Sequence, residues 1–68
     1  MSSRLEWEYP ELYELIRSRN NTGVQNWVES KSSEEIVDAI YWASWDDDLE
    51  AIEALISAGA SGKIFSAI

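Results

Sequence analysis

The chain has 68 residues, a formal charge of −8, no Cys and no His, which excludes disulfides, thiolate metal sites and imidazole chemistry. Its hydrophobic fraction of 46%, with four Trp, three Tyr and one Phe, excludes intrinsic disorder. A chain this short buries only roughly 60% of its unfolded surface, so residues 1–68 are expected to form one domain with a small core.

The opening MSSRLEWEYPEL is polar and carries carboxylates, unlike a secretory signal, and no apolar run approaches the ~20 residues that span a membrane. A cytoplasmic protein without a membrane partner is therefore expected. Pro10 suits the first turn of a helix, and Leu12, Leu15 and Ile16 follow at helical spacing. Arg17 and Arg19 close that helix with the charge its dipole favours, and Asn20-Asn21-Thr22-Gly23 reads as a turn. A second helix runs through Val24, Trp27 and Val28 and stops around Ser30 to Ser32. Ser32 with Glu35 forms a capping box that opens a third helix carrying Ile36, Val37, Ile40, Tyr41 and Ala43. Asp46-Asp47-Asp48 interrupts the pattern at a turn expected to pack little core. Asp47 with Glu50 resembles a further helix start, followed by the stripe Leu49, Ile52, Leu55 and Ile56. Gly59 stands where a left-handed C-cap belongs, and Ile64, Phe65 and Ile68 suggest a last short turn.

These stripes, all of period 3 to 4, predict an all-α bundle of four to five short helices with no sheet. The expected core is Leu12, Leu15, Ile16, Val24, Trp27, Val28, Ile36, Ile40, Leu49, Ile52, Leu55 and Ile56. An internal correspondence emerges at a period of 28 residues: Leu12-Tyr13 aligns with Ile40-Tyr41, Val24 with Ile52, and Trp27-Val28 with Leu55-Ile56. The second unit, DAIYWASWDDDLEAIEALISAGAS, resembles the helical hairpin of an ankyrin repeat. Ala43-Ser44 stands for its small pair, Leu49-Glu50 for its second-helix start, and Gly59-Ala60 for its close. Both units lack the segment that brings such repeats to about 33 residues. The resemblance implies two ankyrin-like hairpins, and leaves function open because such modules bind many proteins.

Charge is distributed unevenly along the chain. Between Lys31 and Lys63 lie Glu34, Glu35, Asp38, Asp46, Asp47, Asp48, Glu50 and Glu53, with no base among them. Elsewhere five acids offset five bases, so the net charge sits in the second half. Such polarity points to a basic partner and against direct nucleic-acid binding, because phosphates are repelled. Asp46, Asp48 and Glu50 have the start of a calcium-loop spacing, but Ala51 and Ser57 occupy the places that need Gly and Glu. No metal, cofactor, nucleophile–base pair or phosphate-binding loop is expected, and so no enzyme.

Trp27 falls at a core position of the 28-residue pattern. Trp42 and Trp45 share a face with Asp38 and Asp46, where they either close the edge of the domain or form a binding hot spot. The expected partner-binding residues are thus Glu34, Glu35, Asp38, Trp42, Trp45, Asp46, Asp47, Asp48, Glu50 and Glu53. In size and acidity the chain resembles the small phage inhibitors of bacterial defence systems, the anti-CRISPR and anti-restriction proteins. That resemblance implies a nucleic-acid mimic occupying a basic groove, with a CRISPR surveillance complex and its Cas proteins as the leading target. The other reading is an ankyrin-like adaptor or regulatory module whose acids mainly keep it soluble.

Overall fold

Pro10 takes the first position of a helix that ends at Arg17, and Ser32 caps another by accepting the Glu35 N–H at 3.2 Å. These local signals recur along the chain in a computed structural model that describes residues 2–66. Among the described residues there are six helices and no strand: α1 (Arg4–Glu8), α2 (Pro10–Arg17), α3 (Asn21–Ser30), α4 (Ser33–Trp45), α5 (Leu49–Ser57) and α6 (Ala60–Ser66). The fold is all-α. Ile68, expected in the last turn, lies outside the described residues.

The helices α2 and α3, and again α4 and α5, are joined by turns of the same backbone geometry. Arg19 has φ 58° and Asp47 has φ 55°, one 28-residue interval apart. In the first turn the Arg19 N–H donates to Ile16 O (3.0 Å) and the Asn20 N–H to Leu15 O (2.9 Å). In the second, Asp47 donates to Ser44 O (3.0 Å) and Asp48 to Ala43 O (2.9 Å). Each is a left-handed C-terminal cap that closes one helix over its last carbonyls. The next residue then starts the following helix: Asn20 accepts from Gly23 N–H at 2.9 Å and Asp48 from Ala51 N–H at 3.2 Å. The helix start therefore lies at Asp48, one residue beyond the expected Asp47. Likewise Asn20 to Gly23 is the cap and first turn of α3, and the chain reverses at Ser18-Arg19 instead.

A long side chain at φ 58° strains against its own carbonyl, by roughly 1 kcal/mol. Arg19→Gly is therefore expected to stabilise the fold by about 0.5–1 kcal/mol. The weak Arg19–Glu50 pair at 3.6 Å is too exposed to offset this. Chemical denaturation of the two proteins checks it, and an unchanged or lowered midpoint contradicts it.

Gly23 admits the Leu15 side chain, whose Cδ2 lies 2.6 Å from where a Cβ at Gly23 would stand. One 28-residue interval on, Ala43 and Ala51 hold these places. The first turn thus combines a large residue with none, and the second combines two small ones.

The buried core contains Leu12 and Ile16 of α2, Val24, Trp27 and Val28 of α3, Ile36 of α4, and Leu55 of α5, as the stripes predict. Leu15, Ile40 and Ile52 are partly buried against it. Two expected core residues are not buried: Leu49 is 65% and Ile56 52% exposed. The inward face of α5 runs through Ala51 and Leu55. Leu49 opens the helix on its outer side, and Ile56 is turned about 100° from Leu55. Alanine also matters more than expected, since Ala39, Ala43, Ala51 and Ala60 are all fully buried. Small side chains let helix axes approach closely.

The helix α1 is the largest addition to the expected fold. Ser3 caps it by accepting the Glu6 N–H at 3.1 Å, and Leu5 is wholly buried. It packs on α2 and α4, while α6 packs on α4 and α5. Lys63 of α6 donates to Val28 O (3.1 Å) and Glu29 O (2.6 Å), satisfying the open carbonyl end of α3.

Candidate functional site

The acid-rich stretch divides into carboxylates that hold the fold and carboxylates that face outward. Asp46 belongs to the first group. Its Oδ2 accepts from Ser3 Oγ (2.7 Å) and Leu5 N–H (2.9 Å), and its Oδ1 from Arg4 N–H (2.9 Å). The carboxylate of Asp46, the C-cap residue that follows α4, thus caps the N-terminus of α1 across 41 to 43 positions. Burial pushes its pKa up, but the bonds from Leu5, Ser3 and Arg4, with the Arg4 charge, outweigh this and hold it below the ordinary aspartate range.

A depressed carboxyl pKa gives stabilisation that is present above the unfolded-state value and lost as pH falls through the folded-state value. Below about pH 4 the docking of α1 should therefore weaken first. Amide exchange at Leu5 and Glu6 that accelerates on acidification ahead of α4 supports this, and uniform loss of protection contradicts it.

Asp48 caps α5 and pairs with Arg17 at 2.7 Å, while Glu50 pairs with both Arg17 and Arg19. These pairs join the negative end of the α2 dipole to the positive end of α5. Asp38 accepts from the Tyr9 hydroxyl at 2.8 Å. Burial first, then this bond and the charges of Asp38, Glu35 and Glu8, push the Tyr9 hydroxyl well above its usual pKa. Tyr9 also meets Trp27 edge to face, with centroids 5.6 Å apart. Glu35 accepts the Ser32 hydroxyl within its capping box.

None of the three aspartates at this turn joins the buried core, but Asp46 and Asp48 hold the fold through hydrogen bonds and an ion pair. Of the three, only Asp47 has a carboxylate without a hydrogen bond or ion pair, and the carboxylates of Glu34 and Glu53 share that condition among the described residues. The division of charge along the chain is not a division in space either. Arg17 and Arg19 lean onto the second half, which leaves Glu11 and Glu14 of α2, with Glu6 and Glu29, unpaired. The remaining cations are held as well: Arg4 by Glu8 at 2.9 Å, Lys31 over Trp27 at 5.8 Å, and Lys63 on carbonyls.

Trp42 is half-buried and Trp45 exposed, so the two divide between the roles weighed for them: one closes the edge and one faces solvent. Sequence reasoning did not single out Tyr41, exposed beside both indoles, or Trp7, exposed on α1 and linked to Trp42 through the Arg4 guanidinium. The signal for Tyr41 was its i, i+4 spacing from Trp45 on one helix. An open cleft of about 650 Å³ is lined by Trp45, the three aspartates, Glu6, Arg4, Arg17 and Tyr13 among others. No group of described residues is placed to hold a metal ion, and none of the helices is long and apolar enough to cross a membrane.

Fold and surface together define a small acidic all-α protein whose cations are engaged internally. No family model matches the chain, and neither a curated protein nor a solved structure matches it.

Proposed function

We propose that this chain is an acidic inhibitor that occupies a basic nucleic-acid-binding groove on a partner protein, in the manner of a nucleic-acid mimic. The observation that carries the reading is the state of its charges. Every Lys and Arg contacts the chain's own carboxylates, carbonyls or rings, while the carboxylates of Glu6, Glu11, Glu14, Glu29, Glu34, Asp47 and Glu53 have no cation. Carboxylates one helical turn apart, such as Glu11 and Glu14, stand about 5–6 Å from each other and offer a groove's Lys and Arg a row of anions. Small size and acidity support a bacterial CRISPR surveillance complex as the target, and a cytoplasmic site of action with it.

The test begins with the partner recovered from bacterial lysate and measures competition with labelled DNA. Bound inhibitor should exclude the DNA, and its association should weaken steeply with salt, because exposed charges are screened beyond roughly 8 Å at 0.15 M. Glu34→Gln/Asp47→Asn/Glu53→Gln removes three unpaired charges without touching a cap or an ion pair. It should fold normally and lose inhibition. The protein alone should retain no duplex in a gel shift.

A second reading, an ankyrin-like adaptor, draws on the matching turns at Arg19 and Asp47 and on the exposed Leu49 and Ile56 of α5. Simultaneous binding of protein and DNA to the partner, with unchanged DNA affinity, would select it.

A further inference from the structure

Large aromatic side chains gather on one exposed region of this small surface. Trp7 of α1 is 73% exposed and Trp45 of α4 68%. On α4, Tyr41 lies 4.9 Å from Trp42 and 6.3 Å from Trp45, and the two indoles are 6.1 Å apart, all between ring centroids. The Arg4 guanidinium sits 4.6 Å from the Trp42 centroid and 6.0 Å from that of Trp7, so one arginine already stacks within the set. Trp45 lines the cleft together with Glu6 and Asp47, whose carboxylates have no counter-charge. The two arginines of that cleft are answered, Arg4 by Glu8 and Arg17 by Asp48 and Glu50.

Charge decides what can cover this region. A second copy brings another −8, and nucleic acid and anionic lipid are repelled in the same way. A purely apolar partner would leave Glu6 and Asp47 desolvated and unpaired. Arginine satisfies both demands, because its planar and weakly hydrated guanidinium stacks on indole while its N–H groups meet a carboxylate. Lysine, a compact and strongly hydrated charge, meets only the second.

We propose that Trp45 and Tyr41, with Trp7 and the carboxylates of Glu6 and Asp47, form a surface that takes arginine side chains of the partner, repeating outwardly the stacking that Arg4 makes inwardly on Trp42. The proposal rests on the basic-partner reading and specifies which cation that partner presents.

Oligo-arginine and oligo-lysine peptides of equal length test it, by titration and by the indole N–H signals of the four tryptophans. The arginine peptide should bind roughly fivefold tighter. Signals of Trp45 and Trp7 should shift while that of buried Trp27 stays. Trp45→Ala should remove most of the arginine preference and leave lysine affinity unchanged, and Trp45→Phe should restore part of it. Equal affinities, no binding of either peptide, or a preference that survives Trp45→Ala overturns the proposal. DNA exclusion by the intact protein alongside equal peptide affinities sinks this inference alone. Arginine preference without DNA exclusion sinks the groove reading and leaves the arginine surface standing.

Discussion

Leu55→Ala and Leu5→Ala are each expected to destabilise the protein by about 2–5 kcal/mol, the range for deleting a fully buried leucine where the cavity collapses incompletely. Both side chains are wholly inaccessible to solvent. A chain of 68 residues has a total stability of roughly 3–10 kcal/mol, so either change consumes a large share of it. The Leu5 result discriminates more. If residues before Pro10 were a loose extension, truncating Leu5 would leave the unfolding midpoint where it was. Because Leu5 joins α1 to the common core, the midpoint should fall as far as it does for Leu55→Ala. Leu49→Ala and Ile56→Ala serve as controls, since exposed side chains change stability by about 0.5 kcal/mol at most. Denaturant unfolding of the four variants checks the set, and a cost at Leu49 equal to that at Leu55 would restore the apolar stripe as the better guide to α5.

What the chain discloses in advance depends on the range of the interaction concerned. Local signals were legible: Pro10 at a helix start, the Ser32–Glu35 box and Gly59 beyond α5 at φ 97° are each fixed by a few neighbouring residues. A signal of the same kind, Ser3 followed three residues on by Glu6, announces α1 and was overshadowed by the polar character of the segment. Periodicity located the stripe of α5 but not its rotation, because Leu49, Ile52, Leu55 and Ile56 span a wider arc than one neighbour can cover. Buried alanines escape hydropathy for the opposite reason, being small enough to sit where helices touch. The candidate site was hardest to read. Whether an aspartate binds a partner or caps a distant helix depends on what lies 41 to 43 residues away, and spacing along the chain carries no trace of that.

The aspartate run should accordingly separate into three behaviours. Asp46→Ala removes the acceptor of three hydrogen bonds, two of them from backbone N–H groups at the start of α1. Bonds to a charged acceptor at a helix N-terminus make this loss worth about 2–3 kcal/mol. Asp48→Ala loses the α5 cap and the pairing with Arg17, for about 1–2 kcal/mol, with the exposed ion pair contributing little of it. Asp47→Asn should be neutral within about 0.5 kcal/mol, since asparagine tolerates φ 55° at least as well as aspartate and no partner is lost. Reversing all three residues to lysine would therefore report on folding before it reported on binding. Thermal melts of the single variants, read beside partner binding, separate the two effects. Should Asp46→Ala melt with the parent protein, the cap on α1 contributes nothing. Should Asp47→Asn alone weaken partner binding at unchanged stability, the outward carboxylate of the run is the one that meets the partner.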